Sequence, residues 1–230
     1  MNHQRLRMRR MKGRIRIIGG IFIFFAWIGT VQLYAEVNLK EIDSILTALQ
    51  DKMSKVTTIQ TDFVQEKNLS LFKQKLILKG KIFIQKPGML SWRVFTPLRY
   101  SLVISGSNIS QWDQDSNQVQ SVSLGKNPSF QVAIEQMQNW FSGTYKSMQG
   151  DYQISLITKN PLKLEFIPKE KSVAANFIQR VSVLFQDDQQ YIKEIDILEK
   201  SGDSTLLEFI NARLNQEIPV KAWEVKADLH

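Results

Sequence analysis

The sequence predicts a mainly β (α+β) fold, in which about eleven antiparallel strands build one large curved sheet and amphipathic helices cover its concave apolar face. Three observations lead there. From Ile59 onward, apolar and polar residues alternate in short stretches rich in Val, Ile, Phe and Thr, separated by Pro, Gly, Asn and Asp. Only two segments carry a clear helical spacing, too few for the crossovers that parallel pairing requires. No Pro/Gly/Ser-rich linker, low-complexity tract or fixed-period repeat divides the 230 residues, a length that suits one well-buried domain or at most two small ones. A sheet that curls without closing must cover its apolar face, and the two amphipathic helices are the elements available for that.

The first element is an export signal. Residues 1–35 hold seven basic residues and no acidic one, an apolar run from Ile17 to Val31, and a cleavage site at Leu33-Tyr34-Ala35 before Glu36. Leu33 is larger than the residue usual at that place, and an uncleaved anchor is the alternative. The reading divides the chain into a signal peptide, 1–35, and a single domain, 36–230, that folds outside the cytoplasm.

A helix follows over 39–54. Leu39, Ile42, Leu46, Leu49 and Met53 fall on one face at steps of three and four, and Asn38 with Glu41 has the spacing of a capping box. Strands are expected near 60–67, 72–86, 89–95, 100–105, 108–113 and 118–123, with turns at Pro87-Gly88 and Asp115-Ser116-Asn117. Asn127-Pro128 opens a second helix with Pro in its first position; Phe130, Ile134, Met137 and Phe141 form its stripe, and Gly143 ends it. Further strands are expected near 151–157, 162–168, 177–186, 191–199 and 204–210, and a last one near 222–226, with Ser201-Gly202-Asp203 as a hairpin turn.

The net charge of +8 suggests nucleic acid until its position is considered. Beyond Ala35 there are 23 basic and 22 acidic residues, so the exported part is nearly neutral and a nucleic-acid partner is not expected.

The chemistry is mostly defined by what is missing. There is no cysteine, which excludes disulfides, a thiol nucleophile, a cysteine metal site and lipidation at a signal-peptide cysteine. The two histidines are His3 and His230, so histidine triads and histidine metal sites are excluded as well. Asp113-Gln114-Asp115-Ser116-Asn117 begins like a calcium loop, but Gln118 stands where such a loop needs Gly and Leu124 where it needs Glu, so it reads as a hairpin turn. Glu194 and Asp196 share a strand face and read as its solvated outer side. No glycine-rich phosphate loop occurs. Trp92, Trp112, Trp140 and Trp223, with many Phe, Leu and Ile on strands, are consistent with ordinary core packing or with a cargo cavity.

The order of the motifs adds a resemblance. An N-terminal helix leads into Ile59-Gln60-Thr61-Asp62-Phe63-Val64-Gln65, then Gly80-Lys81-Ile82-Phe83-Ile84-Gln85-Lys86-Pro87-Gly88-Met89-Leu90-Ser91-Trp92-Arg93, then Pro97 and Leu102-Val103-Ile104-Ser105-Gly106. Phe141-Ser142-Gly143 and Ser201-Gly202-Asp203-Ser204-Thr205 follow. Over residues 38–226 this succession resembles the outer-membrane lipoprotein carrier (LolA-like) family.

The resemblance implies an incomplete antiparallel barrel whose concave face takes the acyl chains of a lipoprotein or related lipid under a lid of helices. It implies a periplasmic monomer with no enzymatic activity and no cofactor or metal, which collects cargo from an inner-membrane ABC transporter and delivers it to an outer-membrane acceptor. Carried onto this chain, it assigns the cargo cavity to Phe63, Ile82, Ile84, Leu90, Trp92, Leu102 and Ile104. The lid falls to Leu39, Ile42, Leu46, Leu49, Phe130, Ile134, Met137 and Phe141. Lys86 stands where the family has an arginine that bonds to helix carbonyls, and a lysine lacks the planar fork of donors. Leu90 stands where an aromatic residue often controls release. Two alternatives remain open at this stage: a regulatory module on the same fold that senses lipoprotein and binds a signalling protein, and an assembly factor with a filled core.

Overall fold

The computed structural model describes residues 40–71, 74–106, 108–121 and 128–226. The proposed signal ending at Ala35, and Leu39, lie outside these residues. The main compact unit runs Ile42–His230.

Helix α1 spans residues 40–53. Six strands follow: β1 (Thr58–Leu69), β2 (Gln74–Gln85), β3 (Met89–Thr96), β4 (Tyr100–Ser105), β5 (Asn108–Asp113) and β6 (Val119–Ser121). Then come α2 (Pro128–Ser142) and the single turn α3 (Tyr145–Met148), and five more strands: β7 (Tyr152–Lys159), β8 (Leu162–Pro168), β9 (Ile178–Phe185), β10 (Ile192–Glu199) and β11 (Ser204–Leu214). All eleven form one sheet in the order β6-β5-β4-β3-β2-β1-β11-β10-β9-β8-β7. Every neighbouring pair is antiparallel, and among the described residues β6 and β7 are the two unpaired ends, so the barrel is open. Two meanders are thus joined by the β1–β11 ladder, with Phe63 opposite Phe209.

The period-2 pattern puts one face of this sheet into the core. Ile59, Ile84, Leu90, Ile104 and Ile109 form a cross-strand row from β1 to β5, and Thr61, Ile82, Trp92 and Leu102 form the next. Leu207, Ile195, Val183 and Leu164 continue the apolar face across β11 to β8. The stripe of α1 (Ile42, Leu46, Leu49, Met53) and residues of α2 (Val132, Ile134, Trp140, Phe141) belong to the same buried cluster. Gly80 is required here for space. A Cβ on it would strike the Arg93 carbonyl and come within 2.7 Å of the Phe63 ring, which itself stacks obliquely on Trp92 at 4.5 Å between centroids.

The opposite face is covered by the C-terminal segment, and here the structure corrects the sequence reading. Residues 222–226 are not a strand; Val220–Trp223 is a 3-10 turn that follows Pro219. Arg93, only 2% exposed, takes the carbonyls that a ladder would need: its Nη2 donates to Ala222 O at 3.0 Å and Glu224 O at 2.7 Å, and its Nε to Ser91 Oγ at 3.1 Å. Ser101 donates to Val225 O, and Gln60 Nε2 to Glu217 O at 2.8 Å. Ile218 and Ala222 pack on Phe83. Nothing in the alternation of 222–226 signals a buried guanidinium on the neighbouring sheet.

Candidate functional site

Helix α2 begins at Pro128, whose missing N–H is one of the four that a helix start leaves unbonded anyway, and ends at Gly143. Gly143 has φ +83°, the left-handed backbone that closes a helix at low cost only without a side chain. A Cβ there would also lie 2.8 Å from the Cβ of Met53, so the glycine lets the ends of α1 and α2 meet.

Lys86 sits beneath that meeting point. Its Nζ donates to the Met53 carbonyl at 2.9 Å and to the Ser142 carbonyl at 3.3 Å, one from the last residue of each helix. Helix C-termini present unbonded carbonyls and partial negative charge, and one ammonium serves both. A guanidinium would spread the two bonds over a fixed fork, whereas the lysine makes them from a single atom. Burial pushes its amine down to about 8.

A cavity of about 650 Å³ lies between α2 and strands β1, β3, β4, β9, β10 and β11. Its apolar lining is Trp92, Leu102, Val132, Ile134, Met137, Trp140, Phe177, Ile178, Ile197 and Leu207, with Tyr100, whose hydroxyl burial pushes up to about 12 with help from Asp113. Polar residues gather where β1 meets the β10–β11 turn: Gln65, Lys67, Glu199, Lys200, Ser201 and Thr205, with Asn176 from the 3-10 turn Val173–Asn176 that precedes β9. Lys67 and Glu199 form an ion pair at 3.2 Å. On α2 itself, Gln136 and Trp140 lie one turn apart, and Gln136 Oε1 and Trp140 Nε1 are buried without a hydrogen-bond partner.

The residues assigned from the sequence divide into two groups. Trp92, Leu102, Ile134 and Met137 line the cavity. Phe63, Ile82, Ile84, Leu90 and Ile104 face the same side of the sheet but are packed in the core and do not line it. Ile42, Leu46, Leu49 and Phe141 are likewise core; Phe141 meets the Phe209 ring edge-on at 5.4 Å. The side chain of Phe130, like Leu39, lies outside the described residues. Sequence reasoning missed the half of the lining that comes from the second meander, Phe177, Ile178, Ile197 and Leu207. Strand alternation marks Ile197 and Leu207 as apolar, but only the β1–β11 pairing shows that they face Trp92 and Leu102 across one space.

The remaining candidates are structural. Asp113 closes its turn by accepting from the Ser116 N–H and hydroxyl, both at 2.8 Å, which holds its carboxyl below the usual range. Glu194 and Asp196 pair with Lys163 at 3.5 Å and Arg180 at 3.6 Å on the side of β10 away from Ile195. Among the described residues no helix is long and apolar enough to cross a membrane.

With this geometry in hand, known proteins can be compared. The model of the family described as outer membrane lipoprotein carrier protein LolA matches residues 54–226. An outer-membrane lipoprotein carrier protein of Hahella chejuensis is 24% identical over 177 residues, 76% of this chain and 81% of that one. Among solved structures, a LolA superfamily protein from Nitrosomonas europaea is 11% identical with a TM-score of 0.42, over 77% of this chain and 96% of that chain. The Pseudomonas aeruginosa MucA/MucB complex contains a chain 10% identical with a TM-score of 0.47, over 80% of this chain and 61% of that chain.

Proposed function

Because the chain belongs to the LolA family of outer membrane lipoprotein carrier proteins, we propose that it is a periplasmic carrier. It shields the acyl chains of a lipoprotein or related lipid on the way from an inner-membrane ABC transporter to an acceptor at the outer membrane. Residues 1–35 direct its export, and it works as a monomer without cofactor or catalysis. The observation that carries this reading is the 650 Å³ space under α2, apolar over most of its lining.

The energetics are those of apolar burial. Each methylene withdrawn from water contributes about 0.8 kcal/mol, so holding part of the chains keeps an amphiphile dispersed in an aqueous compartment. Delivery then requires an acceptor that buries the chains better, and loading draws on the partner transporter's energy.

The test is native mass spectrometry on protein purified from the periplasm, then delipidation, rebinding and transfer to acceptor membranes. One cargo per protein, passed on to those membranes, is the expected outcome. A stable complex with an inner-membrane regulator and no transfer would replace the carrier with a regulatory module on the same fold.

A further inference from the structure

We propose that the end of the β1–β2 hairpin is a membrane-contact element, in which Leu71, Leu76 and Ile77 enter the surface of a lipid bilayer and bring the mouth of the cavity against it. This rests on the carrier reading and adds a partner to it, the bilayer itself.

Among the described residues ten large apolar side chains are exposed, and three of them fall within seven consecutive positions: Leu71 at 84%, Leu76 at 39% and Ile77 at 45%. Single exposed apolar residues are ordinary on a protein surface, whereas a group of them marks a contact. The register explains why this group is left uncovered. β1 and β2 stay paired out to Leu69 and Gln74, but β3 leaves β2 at the Lys79–Thr96 pair. Residues 74–78 of β2 therefore have no neighbouring strand on that side among the described residues, a length of roughly 17 Å at the rise of a strand. The other side is held. The Ser70 N–H and hydroxyl both donate to Asp203 Oδ1 at 2.9 Å, and the hydroxyl also donates to the Ser201 carbonyl at 3.3 Å, so the β10–β11 turn fixes the place of Leu71.

Two features choose a bilayer over a protein surface. First, alternation puts apolar groups on both faces of the hairpin. Leu76 is on the side of Leu78, which packs against the core, and Ile77 is on the opposite side, with Leu71 at the end. A protein surface would cover one of these faces; a fluid apolar medium takes all three residues at once. Second, Leu76 and Leu78 stand opposite Lys67 and Gln65, which line the polar mouth of the cavity. The inner side of the hairpin thus continues the floor of the cavity, and an acyl chain that leaves along it reaches the bilayer beside Leu71.

Charge does not select the surface. Lys67, Lys75 and Lys81 are paired with Glu199, Glu66 and Asp62, and Asp203 lies beside Ser70. The contact is driven by apolar burial and takes neutral and anionic lipid alike. It is shallow, because the unpaired backbone groups of 74–78 have to remain among hydrated head groups. The end of the hairpin enters by about 5–10 Å, the depth usual for interfacial segments.

The experiment uses the absence of cysteine from the chain. Leu71→Cys, and Asp187→Cys in the β9–β10 turn at the opposite end of the strands, each take one environment-sensitive dye. The delipidated full protein is mixed with vesicles of phosphatidylcholine, or of phosphatidylethanolamine with phosphatidylglycerol, at low and at high salt. The dye at Leu71→Cys is expected to shift to the blue and to be quenched by lipid-borne quenchers in both vesicles and at both salts, and the dye at Asp187→Cys to do neither. Leu71→Asp should lower vesicle partitioning by roughly tenfold, the lower end of the range for one buried leucine. It should leave one-to-one cargo rebinding in solution unchanged and slow transfer of cargo to acceptor membranes. Equal responses of the two dyes, unchanged partitioning of Leu71→Asp, or binding that needs anionic lipid and low salt overturns the proposal. Binding to neither vesicle does so as well and leaves the hairpin to a protein partner. In each of these cases cargo rebinding keeps the carrier reading. If no cargo rebinds while Leu71 still enters vesicles, the carrier reading falls and the membrane contact stands.

Discussion

Helices α1 and α2 cover the same face of one sheet and are bonded to the same lysine, yet what lies beneath them differs. The stripe of α1 is closed: Ile42 is 4% exposed and Leu46, Leu49 and Met53 are fully buried, and none of them lines the cavity. The inner face of α2 is buried in the same cluster at Val132, Ile134, Trp140 and Phe141, but the first three of these, with Met137, also border the cavity. We propose that these two amphipathic helices of similar pattern serve as a fixed wall and as a movable cover. The distinction is made by the strands beneath them.

The largest expected effect separates the two directly. Leu49→Ala removes a fully buried side chain from packed surroundings and should cost about 2–5 kcal/mol in urea unfolding. Met137→Ala removes a side chain that borders the cavity, and should cost about 1 kcal/mol or less, since part of its volume is already free. Equal costs would mean that α2 is packed as solidly as α1 and would remove the basis of the comparison.

Gly143→Ala tests the point where the helices meet. The left-handed backbone alone makes a side chain cost roughly 1–2 kcal/mol, and the added Cβ meets Met53, so α2 has to move outward. Thermal unfolding should show a loss at the upper end of that range or beyond. Hydrogen exchange should show faster amides in α2 while α1 keeps its protection. An even loss across both helices would make the joint a simple packing contact.

These effects also show why some of the molecule was legible in the sequence and some was not. The eleven strands were legible because alternation, turn residues and the scarcity of helices are local signals, and their limits fall within a few residues of 58–69, 74–85, 89–96 and the rest. The single turns at Tyr145–Met148 and Val173–Asn176 gave no periodic pattern to read. In the candidate site, the inward side of β2, β3 and β4 followed from alternation. Alternation could not say that Phe63, Ile84 and Ile104 would be packed while Trp92 and Leu102 bordered space, because that depends on which helix covers each row. The polar mouth was missed for a similar reason: Lys67 and Glu199 are 132 residues apart and are joined by the order of strands in the sheet.

Lys86→Met is a smaller perturbation that sharpens the comparison. The variant loses two charge-assisted bonds, but burying the ammonium was itself costly, so global stability should change by about 1 kcal/mol or less. The local effect should be larger. The last turn of α2 should exchange faster and an apolar dye should bind more readily, with less change in α1, because α1 keeps its buried stripe. If exchange rises equally in both helices, Lys86 stabilises the joint without distinguishing wall from cover.

The smallest effect is in pH, and its sign separates opening from unfolding. Burial holds the Lys86 amine at about 8 in the folded protein, whereas an unfolded chain keeps that proton to about 10.4. Between those values the unfolded state binds more protons, so this group's contribution to global stability rises with pH. The bond to the two helix carbonyls changes the other way, since a neutral amine is a weaker donor and no longer complements the helix ends. Raising the pH through about 8 should therefore increase dye uptake at α2 while urea unfolding shows no parallel loss. Lys86→Met and Lys86→Arg should both be flat over this range, the first for want of a titrating group and the second because guanidinium keeps its proton. If dye uptake and global stability instead move together in all three proteins, the response belongs to other groups and Lys86 does not govern the cover.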